Sequence, residues 1–329
     1  MRYRKLGRTG LEVSELSLGG LFVSSVGGEY EQGRGAIRRA LDLGINYIDT
    51  APTYANSEEV LGRALEGVAA PFVLSTKLGG LPEPFEPRSP DCLRRSVENS
   101  LRLLKREAVD ILMVHEPDRP RQTDWWADRQ AYTGPVLDVL QELKEKGVIR
   151  FTGLGGTSAY AIVPIMATGR FDVVLTAFNY SLLWREAERA VLPMARHLGT
   201  GVIVGSPLQQ GVLARRHDEE VRRAPHWMAP QRRTQLLELY ALLDETGLLL
   251  PELALRWVLS NPDIACTLTG ARSVVEVEAN VAAAERGPLP AEVLTRLDAI
   301  AGQVPMRPAE EPSCLPLGRQ YGGLGRVFM

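Results

Sequence analysis

Asp49 closes a short apolar run, and Tyr54 follows it five residues later through a Pro-containing turn, in the stretch GINYIDTAPTY that spans residues 44–54. A buried strand needs no carboxylate in order to pack, so the pair invites a chemical reading. Two further strand-like runs end in reactive groups, FVLSTK in Lys77 and VDILMVH in His115. An acid, a phenol, an amine and an imidazole drawn to one point would protonate an oxygen that is becoming an alkoxide. A tyrosine hydroxyl, with an ordinary pKa of about 10, donates poorly at neutral pH, but a neighbouring ammonium favours the phenolate and lowers that value. Lys77 is the candidate ammonium, with Asp49 to hold it charged and aimed. His115 would donate to a carbonyl oxygen while Tyr54 gives up its proton. The set has no hydride source, and no side chain is one, so a nicotinamide cofactor is implied.

For these residues to meet, their strands must be neighbours with their C-terminal ends together. After short segments around the turn Gly7-Arg8-Thr9-Gly10, the chain alternates apolar runs with helical patterns. Strands are predicted over 13–18, 47–50, 72–77, 109–115, 150–154, 173–178, 202–206 and 265–269, and helices over stretches such as 58–65, 93–104, 136–146, 186–197 and 251–259. Several helices end at a glycine, Gly147 and Gly199 among them, where helices commonly stop. Eight such units in 329 residues fit an α/β (β/α)8 TIM barrel, usually about 250 residues plus insertions, with its chemistry at the C-terminal strand ends. The opening segments would form a β-hairpin plug, and 291–301 an added C-terminal helix. A doubly wound sheet is the runner-up, but no G-x-G-x-x-G follows the first strand. With no linker or composition break, residues 1–304 read as one barrel domain and 305–329 as a C-terminal loop and tail, either disordered or a lid over the mouth.

Composition narrows the classes. The formal net charge of -2 gives no reason to expect nucleic acid or an anionic membrane as partner, and 45% hydrophobic with 24% charged residues is ordinary globular usage. No apolar run approaches the roughly 18 residues of a membrane span, and the start MRYRKLGRTG has no signal-peptide core, so a cytoplasmic location is expected. Cys92, Cys266 and Cys314 have no metal-type spacing and read as buried free thiols. His115, Glu116 and Asp118 offer metal-type donors, but nothing else has ligand spacing, so no metal site is expected. His197, His217 and His226 read as surface residues.

GINYIDTAPTY, continuing through Ala55, Asn56, Ser57, Glu58, Glu59, Val60, Leu61 and Gly62, resembles the signature of the aldo-keto reductase family, and STK at 75–77 and the histidine of VHEPD match its other catalytic blocks in order. The resemblance runs from about residue 3 to about residue 284. It implies that Tyr54 is the general acid or base, that Lys77 and Asp49 tune it, and that His115 orients the carbonyl. It also implies NADP(H) or NAD(H) lying across the barrel mouth. TLTGARSVVEVEAN resembles the adenosine block, giving Gly270, Arg272, Ser273, Glu276 and Asn280 as contacts, with Ser273 capping a helix whose amides suit an anion. Glu276 completes an S-x-x-E capping box with Ser273 and leans towards NAD(H), while Arg272 leans towards NADP(H). VIVGSPLQQGVL resembles the pyrophosphate strand and loop, giving Ser206, Leu208 and Gly211. Gly155 and Gly156 stand where many relatives have a Ser-Asn pair for the carboxamide, Ala177 where they have glutamine, and Gly205 where an aromatic stacks on the nicotinamide. Asn179, two residues on from Ala177, would substitute for the glutamine. In these departures the chain resembles the branch that oxidises aldose sugars (D-threo-aldose, L-fucose) or pyridoxal.

The substrate is expected to be a small carbonyl or alcohol, in a pocket lined by Phe22 after the first strand and Trp125 and Trp126 after the fourth. Packing of that loop onto its own barrel is the alternative use of the two tryptophans. Two functions are carried forward. One is a nicotinamide-dependent oxidoreductase, which the intact quartet favours. The other is a cofactor-binding regulatory barrel, as some relatives are on membrane channels, with little turnover.

Overall fold

In a computed structural model of the chain, residues 1–308, 311–312 and 314–319 are described. A β-hairpin, β1 (Tyr3–Lys5) and β2 (Glu12–Ser14), precedes the barrel strands β3 (Leu16–Gly19), β4 (Tyr47–Asp49), β5 (Val73–Leu78), β6 (Val109–His115), β7 (Ile149–Gly156), β8 (Val173–Ala177), β9 (Gly201–Gly205) and β10 (Cys266–Thr269). The eight pair in parallel and in chain order, and β10 returns to β3 to close the barrel. Both faces of each strand are covered, which is why the runs read as almost continuously apolar. Along β6, Ile111 and Met113 face the inner cluster with Tyr47, Val173, Leu175, Ile203, Cys266 and Leu268. Leu112 and Val114 face the layer between strands and helices.

The outer ring comprises α1 (Tyr30–Asp42), α2 (Ser57–Ala64), α3 (Pro90–Leu104), α4 (Pro135–Glu145), α5 (Ala159–Met166), α6 (Glu186–Arg189), α7 (Val191–Leu198), α8 (Asp218–Arg223), α9 (Pro230–Thr246), α10 (Leu250–Leu259), α11 (Val274–Glu285) and α12 (Ala291–Gly302). Local sequence explains their starts. The Ser89 side chain accepts from the Cys92 amide and Pro90 opens α3, whose Leu93, Val97 and Leu104 are buried. Leu6 and Val13 of the hairpin join the inner cluster, so the hairpin plugs the N-terminal end of the barrel.

Two predicted runs are each split into two elements, while other ends shift by one to three residues. The run 13–18 is two strands, because Glu15 is a buried pivot between plug and barrel: its carboxylate accepts from Arg2 Nε and Arg4 Nη2, each at 3.1 Å. The run 186–197 is two helices broken at Ala190. Pro193 lacks the amide that would continue the ladder and is accommodated in the first turn of α7. Cys92, Cys266 and Cys314 are buried and free. His197 and His226 are exposed as expected, whereas His217 is half-buried, its amide donating to the Tyr240 hydroxyl at 3.0 Å. Among the described residues no helix is long and apolar enough to cross a membrane.

Beyond α12 the described chain folds back over the barrel. Arg307 pairs with Glu186 at 2.7 Å, and Glu311 pairs with the fully buried Arg232 at 3.1 Å. Cys314 Sγ lies 3.2 Å from Gln210 Oε1, and the Gly318 amide donates to Glu220 at 2.7 Å. Residues 320–329, which hold the glycine-rich part of the expected tail or lid, lie outside the described residues.

Candidate active site

Strand alternation turns Tyr47 and Asp49 of β4, Ser75 and Lys77 of β5, and Met113 and His115 of β6 towards the barrel axis. Register aligns their ends, with Asp49 beside Ser75, Lys77 beside Met113 and His115 beside Gly155. Lys77 Nζ donates to Asp49 Oδ2 at 2.6 Å and to the Thr50 carbonyl at 2.8 Å, with the lysine 2% and the aspartate 1% exposed. Tyr54 sits in the turn between β4 and α2, its amide donating to the Ala51 carbonyl at 3.1 Å. Its ring lies with Lys77 Nζ 4.7 Å from the centroid and meets His115 edge-on at 5.9 Å. All four residues read from the sequence are therefore brought together at one mouth.

Burial and charge set their protonation. Burial raises the Tyr54 pKa, Lys77 lowers it through charge, Asp49 raises it, a hydrogen bond from Lys77 lowers it, and Glu116 raises it, for a net value above the ordinary one. The expected downward pull of Lys77 is present but smaller than the cost of burying a phenolate, so the phenol keeps its proton at neutral pH. For Lys77, burial pulls downward, but Asp49 and Tyr54 raise the net value, so the ammonium persists. His115 is pushed down to about 3, first by burial and then by Lys77, so it is a neutral imidazole.

That shift has a measurable consequence. The native His115 pKa is about 3 against an ordinary 6.5, so between those values the unfolded chain binds a proton that the native chain does not. Its contribution to stability is complete above 6.5 and is lost as pH falls towards 3, by at most ~1.4 kcal/mol per pH unit. Urea midpoints measured at neutral and mildly acid pH should therefore fall more steeply for the parent chain than for His115→Gln. Equal slopes would contradict a neutral histidine at this position.

The family model for the aldo/keto reductase family matches residues 16–301. The chain belongs to that family of oxidoreductases. It is 31% identical to the L-galactose dehydrogenase of Arabidopsis thaliana, over 85% of this chain and 87% of that protein. It is 28% identical to a Schizosaccharomyces pombe protein named for a voltage-gated potassium channel subunit beta, over 92% and 94%. Among solved structures, the aldo-keto reductase AKR11C1 of Bacillus halodurans in its holo form superposes with a TM-score of 0.74 at 29% identity, covering 92% of this chain and 96% of that one.

Whether this aldo/keto reductase suits a nicotinamide cofactor can be judged from the other half of the mouth. The inward positions at the ends of β7, β8 and β9 are Gly155, Ala177 and Gly205. A methyl on Gly155 would lie 3.5 Å from Lys77 Cε, and one on Gly205 would lie 3.2 Å from the Ala177 Cβ. These three positions carry no side chain larger than a methyl, so the floor beside the reactive quartet is bare. After β9, Ser206, Gln209, Gln210 and Gly211 have positive φ, and the Gln209 and Gly211 amides donate within the loop, to the Ser206 and Leu208 carbonyls, each at 3.0 Å. At the start of α11 the Ser273 side chain accepts from the Glu276 amide at 3.3 Å, as its spacing predicted. Asn280 lies one turn beyond Glu276 on the same face of α11. These groups fit a dinucleotide.

Several expected contacts prove to be used elsewhere. Gly156 faces outward, where a Cβ would meet Ile162 at 2.4 Å and Asp118 Oδ1 at 3.0 Å, because alternation turns Gly155 inward instead. Asn179 does not share a face with Ala177: Phe178 adopts φ +67, and Asn179 Nδ2 donates back to the Ala177 carbonyl at 2.8 Å. Trp125 and Trp126 are buried in the core, and their Nε1 groups donate to the His115 and Pro117 carbonyls at 3.0 and 3.3 Å. They brace the loop behind His115, as rings that can bury their area and still find an acceptor do. Phe22 lies on the β10 side, with its Cδ2 2.3 Å from where a Gly270 Cβ would stand, which explains the glycine at 270.

Sequence reading missed Ser75 and Tyr47. Tyr47 donates to Ser75 Oγ at 2.8 Å, and Ser75 donates to Asp49 Oδ1 at 2.7 Å, which fixes the carboxylate that holds Lys77. Both stand two residues before a quartet member, so the period of two was the available signal. Among the described residues no group of His, Cys, Asp or Glu side chains is placed to hold a metal ion.

Proposed function

We propose that the protein is a nicotinamide-dependent oxidoreductase interconverting an aldehyde, ketone or sugar hemiacetal with the corresponding alcohol or lactone, with Tyr54 as general acid and base. The observation that carries this reading is the protonated Tyr54 phenol held between the Lys77 ammonium and a neutral imidazole. The cofactor, when bound, supplies or accepts the hydride. In reduction His115 donates a hydrogen bond that orients the carbonyl oxygen, and Tyr54 gives its proton to that oxygen as charge develops. Lys77, kept charged by Asp49, stabilises the phenolate left behind. In oxidation the phenolate takes the alcohol proton, so that direction accelerates as pH rises towards the raised Tyr54 pKa. Residues 1–304 form the catalytic barrel, and among the described residues beyond 305, Cys314 and Arg319 contact Gln210 in the loop after β9. The three buried free thiols suit the reducing cytoplasm.

Cofactor choice turns on Glu276. Its Oε2 accepts from the Arg272 amide at 2.7 Å, and its Oε1 lies 3.5 Å from the Arg272 guanidinium. Arg272 is thereby partly neutralised, and the carboxylate repels a 2'-phosphate while it can accept from ribose hydroxyls, so NAD(H) is preferred. Glu276→Gln is expected to raise NADPH affinity relative to NADH by about tenfold. Parallel fluorescence titrations check this, and an unchanged ratio would return the choice to Arg272.

A regulatory barrel of the channel-subunit kind is the second reading, supported by the S. pombe relative and by the altered nicotinamide positions. A binding module has no need of a tuned phenol, which favours the enzyme. Consumption of NADH or NADPH with a panel of aldehydes, ketones and sugars tests the reading, and binding without turnover would favour the regulatory barrel.

A further inference from the structure

Tyr47 places a hydroxyl in an apolar layer. Its ring belongs to the inner barrel cluster with Met113, Val173, Ile203 and Leu268, where a phenylalanine would fill the same space with no polar atom to satisfy. The hydroxyl starts a chain that runs in one direction. It donates to Ser75 Oγ at 2.8 Å, and the single Ser75 hydroxyl hydrogen goes on to Asp49 Oδ1 at 2.7 Å, since its other acceptor, the Ile48 carbonyl, lies at 3.5 Å. Asp49 Oδ2 is left for Lys77 Nζ at 2.6 Å. Tyr47 and Ser75 are fully buried and stand one strand period below Asp49 and Lys77, beneath the mouth and not on it. Burial first, and the Asp49 charge second, hold the Tyr47 pKa well above its ordinary value, so the phenol stays a donor. The Cys266 thiol, near enough to feel the same charge, is pushed up to about 12, first by burial, and stays neutral. A carboxylate turns readily about its terminal bond. With one oxygen pinned by Ser75 and the other by Lys77 its plane is fixed, and Lys77 Nζ is held 4.7 Å from the Tyr54 ring centroid.

Resting on the oxidoreductase reading of this site, we infer that Ser75 and Tyr47 are positioning residues for the reaction, whose hydroxyls fix the Asp49 carboxylate so that Lys77 stays aimed at Tyr54 while that residue gains or loses its proton. Ser75 acts on Asp49 directly, and Tyr47 acts by orienting Ser75. Both work one layer below the reacting atoms, so they govern the chemical step and leave the binding of substrate and cofactor alone. The competing account is that the chain only satisfies a buried tyrosine hydroxyl.

The test uses the full chain and whichever of propanal, cyclohexanone and glucose the parent turns over fastest, with NADH and NADPH for the first two and their oxidised forms for the sugar. Ser75→Ala is expected to lower kcat about tenfold while KM and the cofactor dissociation constant stay within about threefold of the parent, because a hydrogen bond to a charged group is lost away from the binding surface. Tyr47→Phe removes one oxygen and should lower kcat about threefold, again with KM unchanged. Ser75→Thr keeps the donor and should hold kcat within about twofold of the parent. In an Asp49→Asn background, adding Ser75→Ala should cost less than about twofold more, since the charge that Ser75 orients is gone. If Ser75→Ala does not fold, kcat and KM of Tyr47→Phe decide. Variants that lower the urea midpoint but keep the parent kcat, or a tenfold cost of Ser75→Ala that persists in Asp49→Asn, would reduce the chain to a structural role and overturn the assignment while the oxidoreductase reading stands. A parent that binds cofactor yet turns over none of the three probes would count against that reading itself, and the assignment would go with it.

Discussion

Tyr54→Phe is expected to lower kcat by about 10²- to 10⁴-fold while leaving the NADH dissociation constant within about threefold of the parent value. The phenylalanine keeps the ring that packs edge-on against His115 and beneath Lys77, so only the hydroxyl is removed. Positioned proton transfer contributes on that scale, whereas the proposed cofactor contacts lie on and after β7 to β10, across the mouth. Stopped-flow turnover together with fluorescence titration separates the two effects. Full activity in the variant would overturn the assigned mechanism. A parent that binds NADH but turns nothing over, matched by the variant, would favour the regulatory barrel.

Lys77→Met is expected to be the most damaging single change to the fold within the site. Lys77 and Asp49 are almost fully buried and joined at 2.6 Å, so removal of the cation leaves a carboxylate whose remaining donor is Ser75. Breaking a buried pair from one side costs about 3–5 kcal/mol. The double variant Asp49→Asn with Lys77→Met should recover much of that stability, because neither charge is then stranded, but it should not recover turnover, because the phenolate loses its stabilising ammonium. Urea midpoints for the parent, both single variants and the double variant form a cycle that measures the coupling. Additive effects would show that the pair is not coupled as its geometry requires.

Two features of the mouth make its chemistry depend on charge more than on shape. Lys77 is charged and paired, His115 is neutral, and the floor at Gly155, Ala177 and Gly205 carries no side chain long enough to grip a ligand. On the proposed cofactor reading, selectivity then comes from the rim, where the Glu276 carboxylate disfavours a 2'-phosphorylated cofactor.

The sequence by itself determined the rhythm of eight strands and the positions of Asp49, Lys77 and His115. A period of two with a polar residue at the strand end is a local property, and barrel closure converts it into convergence. The Ser273 cap was legible for the same reason, since its partner amide lies within one turn of helix. Only the tertiary structure decided where Trp125 and Trp126 point, because a loop of any composition can pack inward when its N–H groups find carbonyls. It alone separated Asn179 from the face of Ala177, through one left-handed residue that no propensity marks. It also reversed the net shift on Tyr54: the nearby ammonium can be read from sequence, but the desolvation that outweighs it arises from every element packed around the ring.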